Sequence, residues 1–187
     1  MTFASPSNSD FLHTTLGRTN LRVSRLGLSA TYRPGVAAVR EGLDAGMNYV
    51  VWWFGDVQMT RALREVLPAR RDEIVICAGT MFQQPWLVRR ALESALRRLR
   101  IEHVDVFLIG WVGDGKLRPR TIDLLRQFRE EGKIRAVGIS THQRRYAAEL
   151  VKQGVLDVLM MRYNAAHRGA ERDVFPHLLA SRPGVVI

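Results

Sequence analysis

The sequence predicts an α/β protein of the (β/α)8 TIM-barrel type, incomplete, with about six to seven βα units present. Short β-branched runs alternate with longer stretches of helical period, a pattern typical of successive βα units around a parallel sheet. One short run, Val104–Ile109, is apolar at every position except Asp105, as expected of a strand covered on both faces. An open doubly wound sheet is the alternative architecture for the same pattern.

The elements follow in order along the chain. Residues 12–15 and 21–23 predict a small hairpin, and strands are then predicted at residues 25–29, 48–53, 74–78, 104–109, 134–139 and 156–161, with a seventh starting at 184–187. Predicted helices occupy residues 35–45, 58–67, 84–99, 121–131 and 144–153, and a last one falls within 169–179. Gly46 and Gly132 end the first and fourth helices, Pro68 ends the second, and Pro85 opens the third in its first turn.

The strand count leaves the predicted barrel unfinished. A closed barrel of this type needs eight strands and typically about 250 residues, whereas this chain has 187. We expect a flexible leader at residues 1–11 and one partial barrel over residues 12–187. Either the chain is part of a longer product, or a second copy or another partner covers the open sheet edge.

Composition excludes several classes of protein. The chain is 47% hydrophobic and 25% charged, and its longest apolar runs fall short of the roughly 20 residues that span a bilayer. The net charge of +10 comes almost entirely from arginines spread through every segment, without a nucleic-acid motif, which favours a solvated basic surface over nucleic-acid binding. One cysteine and no secretory signal indicate the cytoplasm, and no spacing of ligands predicts a metal site.

Three separated segments carry a family resemblance. They are Leu16-Gly-Arg-Thr-Asn-Leu-Arg-Val-Ser-Arg-Leu-Gly-Leu28, Glu131-Gly-Lys-Ile-Arg-Ala-Val-Gly-Ile-Ser-Thr141 and Arg162-Tyr-Asn-Ala-Ala-His-Arg168. Together they resemble the aldo-keto reductases in the order of that family, over nearly all of residues 16–187. The resemblance implies a (β/α)8 barrel, NADP as cofactor and carbonyl reduction as the activity.

The same resemblance implies that the reductase tetrad is missing. Where the family keeps Asp, Tyr, Lys and His at four strand ends, this sequence carries Val51, Phe54, Gly79 and Gly110. Carbonyl reduction requires a donor that protonates the developing alkoxide and groups that tune its pKa. Valine, phenylalanine and glycine do neither, so we expect ordinary reductase chemistry to be absent.

The resemblance implies only part of a cofactor site. In the family a Ser-Asn after strand five and a Gln in strand six hold the nicotinamide carboxamide. Ser140 matches the serine, Thr141 replaces the asparagine, and Met160 stands at the glutamine. Ser140 and Thr141 are thus the candidate cofactor-binding residues, and we expect weak or absent NADP binding.

Aromatic residues predict a pocket at the barrel mouth. Trp52, Trp53, Phe54 and Trp111 follow strands two and four, where such barrels place their sites. Strand alternation lets only one of Trp52 and Trp53 face inward. The predicted lining for a small-molecule ligand also includes Tyr163 and Asn164, although we expect Asn164 to bond its own loop. Alternatively, the aromatic residues fill the space left by the missing polar side chains of the tetrad.

Catalytic candidates of another class are few. His142 follows strand five and would act as a general base with Ser140 or Thr141. Such a site would suit a lyase, cyclase or isomerase; a non-catalytic interaction partner is the other alternative to an oxidoreductase. Asp56 and Asp114 follow strands two and four, and helix capping accounts for Asp56. Cys77 lies within an apolar strand and is expected to be a buried hydrophobe.

Overall fold

The computed structural model describes residues 11–53, 55–112 and 117–187. An antiparallel hairpin of β1 (His13–Thr15) and β2 (Arg22–Ser24) precedes the parallel strands β3 (Gly27–Ser29), β4 (Tyr49–Trp52), β5 (Val75–Thr80), β6 (Val104–Ile109), β7 (Ile134–Ser140), β8 (Val158–Met160) and β9 (Gly184–Val186). The helices are α1 (Val36–Asp44), α2 (Val57–Arg70), α3 (Pro85–Leu99), α4 (Pro119–Glu130), α5 (Arg144–Lys152), α6 (Ala170–Asp173) and α7 (Leu178–Ser181).

The strand order confirms the predicted incomplete (β/α)8 barrel. Strands β3 to β9 pair in chain order, each parallel to the next, and the sheet curls into a partial barrel. A doubly wound sheet reverses its strand order part way along the chain. The strictly sequential order therefore excludes that alternative.

The sheet separates two apolar layers. Side chains on its outer face pack against the helices, with Phe107, Phe128, Leu92 and Leu63 among the fully buried members. Side chains on the inner face form a second cluster inside the curl. Because alternate residues of a strand point to opposite faces, each of the strands β4 to β8 contributes to both layers.

The β1–β2 hairpin covers the end of the barrel where the strands begin. Leu16, Leu21 and Val23 of this hairpin pack into the inner cluster. The turn between its strands lies directly on β9, since a Cβ atom at Gly17 would lie 2.1 Å from the backbone nitrogen of Gly184. Gly17 also has φ of +52°, so glycine satisfies both the conformation and the close approach.

Each outermost strand of the sheet pairs on one side only. Within the described residues β3 pairs with β4 and β9 pairs with β8, and no ladder joins β3 to β9. Unpaired strand edges can pair with another chain. The predicted second copy or hetero-partner at this edge remains a prediction.

The second helix ends later than predicted. Helix α2 continues through Pro68 to Arg70, rather than ending at Pro68. Proline has no backbone N–H, so Pro68 cannot donate the usual helical hydrogen bond. It is tolerated here because it lies in the last turn, two residues before the helix ends. The Arg70 side chain also fixes this last turn by donating to Asp44 Oδ1 at 2.9 Å and to the Leu43 carbonyl at 3.2 Å.

The last predicted helix is divided. Helix α6 ends at Asp173, a 3-10 turn spans Phe175–His177, and α7 follows. Val174 leaves helical geometry with φ of −126°, and Pro176 disfavours an α conformation at the residue before it.

In the described ranges no helix is long and apolar enough to cross a membrane. Of the predicted leader, all but Phe11 lies outside those ranges.

Two buried carboxylates link the strands near the end covered by the hairpin. Asp105 of β6 accepts a hydrogen bond from the Ile76 backbone N–H at 2.8 Å, and its carboxylate lies 3.0 Å from Arg71 and 3.1 Å from Arg135. Its side chain is 2% exposed. Such a charge is tolerated in the interior because it is fully paired.

Asp157, just before β8, repeats this arrangement. Its carboxylate accepts a hydrogen bond from the Val137 backbone N–H at 2.8 Å and pairs with Arg18 at 2.9 Å and with Arg129. The two aspartates thus each connect a backbone N–H of the preceding strand to two arginines.

Asp105→Asn is expected to lower the free energy of unfolding by about 3 kcal/mol, because it leaves two arginines beside a neutral amide in a buried site. Urea denaturation followed by circular dichroism measures the change. Asp123→Asn is the matched control, because Asp123 pairs with Arg126 at 3.0 Å and both side chains are about two-thirds exposed. The control should change stability by less than about 1 kcal/mol; equal losses in the two variants would contradict the role given to Asp105.

Cys77 is expected to resist thiol reagents in the folded protein. Its side chain is buried in the inner cluster, and this burial raises the pKa of the thiol to about 12. A thiol reagent at mildly alkaline pH should label Cys77 no faster than the protein unfolds. Rapid labelling of the native chain would show that the inner layer admits solvent.

The same pKa shift predicts a loss of stability in alkali. The unfolded thiol ionises near its ordinary value of 9.0, whereas the folded thiol stays neutral to about 12. Stability is therefore complete below pH 9 and falls as the pH rises from there toward 12. Urea denaturation across this range should give a steeper fall for the natural chain than for Cys77→Ala.

Candidate functional site

The carboxyl ends of the parallel strands form one end of the barrel, which we call the mouth. It lies opposite the end covered by the β1–β2 hairpin. Strands β4, β5, β6 and β7 deliver the residues after Trp52, Thr80, Ile109 and Ser140 to this end. Barrels of this architecture carry their sites here because the loops at this end vary without disturbing the core.

Trp53 lies across two glycines at the mouth. A Cβ atom at Gly79 would lie 3.0 Å from Cζ3 of Trp53, and one at Gly110 would lie 3.3 Å from Cη2. The indole ring is half-buried and packs against both apolar layers. It therefore occupies the space into which side chains at positions 79 and 110 would project.

Backbone atoms also close in on Gly79. A Cβ atom there would lie only 2.3 Å from the carbonyl oxygen of Leu108, its register partner on β6. Next to it, the Gly110 N–H donates to the Thr80 carbonyl at 2.7 Å. The two glycines thus allow the β5 and β6 strand ends and the Trp53 ring to approach one another closely.

Trp52 faces the helices rather than the mouth. Its side chain is 1% exposed, and its Nε1–H donates to Thr60 Oγ1 of α2 at 2.9 Å. Strand alternation thus divides the pair, with Trp53 at the mouth and Trp52 beneath α2. Phe54 lies outside the described residues.

Trp111 stands out from the mouth into solvent. Its side chain is 67% exposed although its backbone has φ of +50°, a left-handed conformation that is costly for a bulky residue. Its ring meets that of His142 edge to face, with centroids 5.9 Å apart at 84°. These two side chains join the β6 and β7 ends of the mouth.

The candidate group Ser140, Thr141 and His142 does not form a catalytic chain in this structure. The Thr141 hydroxyl donates to the Val112 carbonyl at 2.9 Å and accepts from the Gln143 N–H at 3.0 Å, so it fastens the loop. Among the described residues no hydrogen bond joins these three side chains. His142 instead contacts Trp111.

Tyr163 and Asn164 belong to the loop after β8. Tyr163 packs its ring 5.0 Å from that of Phe175 and donates its hydroxyl to Glu171 at 2.7 Å; this hydrogen bond raises the pKa of Tyr163. Asn164 Oδ1 accepts from the Ala166 and His167 backbone N–H groups, both at 3.0 Å. The expectation that Asn164 bonds its own loop is confirmed, and these contacts tie both residues to the loop and α6.

Below the mouth the barrel interior is apolar. Val51 faces Cys77 across the β4–β5 ladder, and Tyr49 lies one step deeper. The Tyr49 hydroxyl is buried, and the Cys77 thiol is the polar group beside it. Burial raises the pKa of Tyr49 well above its ordinary value, and the neighbouring Cys77 adds to the shift. Both titratable groups of this cluster therefore stay neutral at physiological pH.

Of the two loop carboxylates that follow strands two and four, Asp56 lies within the described residues. Asp56 caps α2, its Oδ1 accepting from the Met59 N–H at 2.9 Å, as capping predicts. Asp114 lies outside the described ranges. Within those ranges no cluster of three or more His, Cys, Asp or Glu side chains is placed to hold a metal.

Sequence reasoning missed the apolar rim that follows β5. Met81, Phe82 and Trp86 are each more than half exposed, and Met81 Sδ would lie 2.9 Å from a Cβ atom at Gly110. The signal was available, because a Met-Phe pair directly after a buried strand must lie at the mouth. Together with Trp53 and Trp111 these residues surround the mouth with apolar and aromatic surface.

Comparisons with known proteins identify the relatives of this chain. The NADH-specific methylglyoxal reductase of Escherichia coli (strain K12) is 26% identical over 214 residues, covering 92% of this chain and 64% of the relative. L-galactose dehydrogenase of Arabidopsis thaliana is 26% identical over 202 residues, covering 91% and 62%. The chain thus spans less than two-thirds of the length of these curated relatives.

Comparison with solved structures also finds aldo-keto reductases. The holo form of aldo-keto reductase AKR11C1 from Bacillus halodurans superposes with a TM-score of 0.80 at 23% identity, covering 95% of this chain and 65% of that one, which shows the shared fold. An aldo/keto reductase from Klebsiella pneumoniae in complex with NADP and acetate has a TM-score of 0.74 at 25% identity, covering 93% and 66%.

A family model matches most of the chain. The model described as the aldo/keto reductase family covers residues 36–187, from the start of α1 through β9. The sequential parallel strands and the structural relatives agree with this match. The chain belongs to the aldo/keto reductase family.

Proposed function

We propose that this chain is an oxidoreductase-like member of its family whose mouth binds a planar apolar ligand without reducing a carbonyl. The observation that carries the proposal is the position of Trp53. Its ring lies on Gly79 and Gly110, two of the four positions where the family resemblance implies the reductase tetrad. The space that a lysine and a histidine would need is therefore filled by an indole.

The proposal also rests on proton chemistry. Carbonyl reduction needs a donor beside the developing alkoxide. In the described interior the titratable groups nearest the mouth are Cys77 and Tyr49, which are buried and have raised pKa values. Neither is placed to protonate a substrate held outside Trp53.

The residues present fit the nicotinamide group poorly. By resemblance, Ser140, Thr141 and Met160 stand where the family holds the carboxamide. The Thr141 hydroxyl already has a donor and an acceptor within the loop, and the Met160 thioether is a weak acceptor that donates nothing. The proposed function therefore does not use NADP.

Carbonyl reduction with NADP is the second candidate function. The favouring observation is that the Klebsiella pneumoniae relatives were solved with NADP or NADPH. An enzyme of another class at Ser140, Thr141 and His142 has weaker support, because these side chains make no catalytic chain.

The single buried cysteine fits the cytoplasm as the compartment.

A turnover assay tests the proposal. The purified chain is mixed with methylglyoxal or glyoxal, the substrates in its relatives' names, and with NADH or NADPH, and oxidation of the nucleotide is followed. We expect no oxidation above the rate without protein, because the Trp53 ring fills the space in front of positions 79 and 110. The Escherichia coli methylglyoxal reductase with NADH is the positive control. Oxidation proportional to the concentration of folded chain would overturn the proposal.

Gly79→Ala tests the packing on which the proposal depends. The added methyl would meet the Leu108 carbonyl at 2.3 Å and the Trp53 ring at 3.0 Å, so we expect a loss of about 1–3 kcal/mol in the free energy of unfolding. Gly35→Ala is the control, because nothing lies within 4 Å of its Cβ position and its φ is −64°. Thermal and urea denaturation measure both variants. A neutral Gly79→Ala would show that positions 79 and 110 are open to side chains.

A further inference from the structure

A cleft on the helix layer lies away from the mouth. It has a volume of about 170 Å³ and runs along α4, between that helix, the loop after α5 and the turn of the β1–β2 hairpin. Its apolar lining comes from Leu117, Ile122, Leu125, Val137 and Val155. An apolar cavity of about 150 Å³ holds benzene. The cleft as a whole is therefore large enough for one six-membered ring.

Three guanidinium groups line the same cleft. Arg126 and Arg129 lie on the α4 face that carries Ile122 and Leu125, and Arg18 reaches the cleft from the hairpin turn. Spacings of three, four and seven residues put this α4 set on one helix face. The cleft thus combines apolar walls with a concentration of positive charge.

Two of the three guanidiniums are held in place. Arg18 donates through Nε to Asp157 at 2.9 Å and through a terminal nitrogen to the Gly154 carbonyl at 2.8 Å, and Arg129 pairs with the same carboxylate. Asp157 is itself 10% exposed and accepts from the Val137 N–H. One carboxylate therefore balances two arginines, which leaves a net positive charge beside the cleft.

The third guanidinium can exchange its partner. Arg126 pairs with Asp123 at 3.0 Å, and the two side chains are 67% and 68% exposed. An exposed pair of this kind contributes less than about 1 kcal/mol. A carboxylate held in the cleft by its own apolar body can therefore displace Asp123 and accept two parallel N–H bonds from Arg126.

We infer that this cleft is a binding site for a small carboxylate with an apolar body of about one ring, such as an aromatic acid. The ring lies against Ile122 and Leu125, Arg126 binds the carboxylate, and Arg18 and Arg129 supply fixed positive charge. The site lies outside the barrel on its helix layer. It is therefore independent of the function proposed for the mouth.

The test is a titration of the 187-residue chain with benzoate, followed by backbone amide chemical shifts in nuclear magnetic resonance. We expect saturable binding, with shifts confined to residues 117–129, 137 and 153–155 and the turn around Arg18. Benzyl alcohol, which keeps the ring and lacks the charge, should bind at least about tenfold more weakly, as expected for loss of one charge-assisted pair. Acetate, which lacks the ring, should not bind at the same concentrations.

Matched variants separate this site from the generally basic surface. Arg126→Gln should weaken benzoate about tenfold and leave benzyl alcohol unchanged. Arg120→Gln, an exposed arginine on the opposite face of α4, should leave both unchanged. Ile122→Trp should fill the cleft and abolish binding of both, with circular dichroism confirming that the variant is folded.

Three results would overturn the inference. The first is equal affinity for benzoate and acetate, which would indicate that the arginines bind the carboxylate without any contribution from the apolar walls. The second is an equal effect of Arg120→Gln and Arg126→Gln, which would indicate general attraction to positive charge. The third is a set of shifts centred on the mouth, which would place the ligand at the other site.

Discussion

Strands β4, β5 and β6 are buried at every residue, and this burial on both faces of the sheet constrains the rest of the molecule. Alternate side chains must enter either the helix-facing layer or the barrel interior, and few polar groups fit in either. The constraint divides neighbouring residues of similar chemistry: Trp52 reaches Thr60 beneath α2, while Trp53 turns to the mouth. It also explains why Cys77 and Tyr49 stay neutral, since both point into the interior.

The two ends of the barrel have different roles. At the end where the strands begin, Asp105 and Asp157 each bind a backbone N–H of the neighbouring strand and two arginines. The β1–β2 hairpin covers the same end with Leu16, Leu21 and Val23. Because stabilising contacts are concentrated there, the mouth tolerates features that cost stability, such as the left-handed backbone of Trp111 and its exposed ring.

Most of the fold could be predicted from sequence because its signals are local and repeated. Strand β6 coincides with the apolar run of residues 104–109, and Pro85 marks the start of α3. The exceptions depended on contacts distant in sequence. Helix α2 passes Pro68 with its last turn held by Arg70 against α1, which no pattern around Pro68 records.

The mouth was less predictable than the fold for the same reason. Position and residue type predict aromatic residues there, and Trp53 and Trp111 lie at the mouth whereas Trp52 packs beneath α2. They do not determine which hydrogen bonds a side chain makes. Thr141 seemed available to a ligand in the sequence, whereas in the structure its hydroxyl joins Val112 to Gln143. The contact of Trp53 with Gly79 and Gly110 joins three strands, so it becomes visible only once their register is known.

This contact also bears on how the mouth can change. The Trp53 ring and side chains at positions 79 and 110 compete for one volume, so they exclude one another in space. A lysine or histidine cannot be added at either glycine while Trp53 stays in place, and removing Trp53 alone would leave a cavity over two residues without side chains. The three positions therefore act as one packing unit. Under our proposal, glycine at the two tetrad positions 79 and 110 and the placement of the Trp53 ring are parts of one coupled repacking.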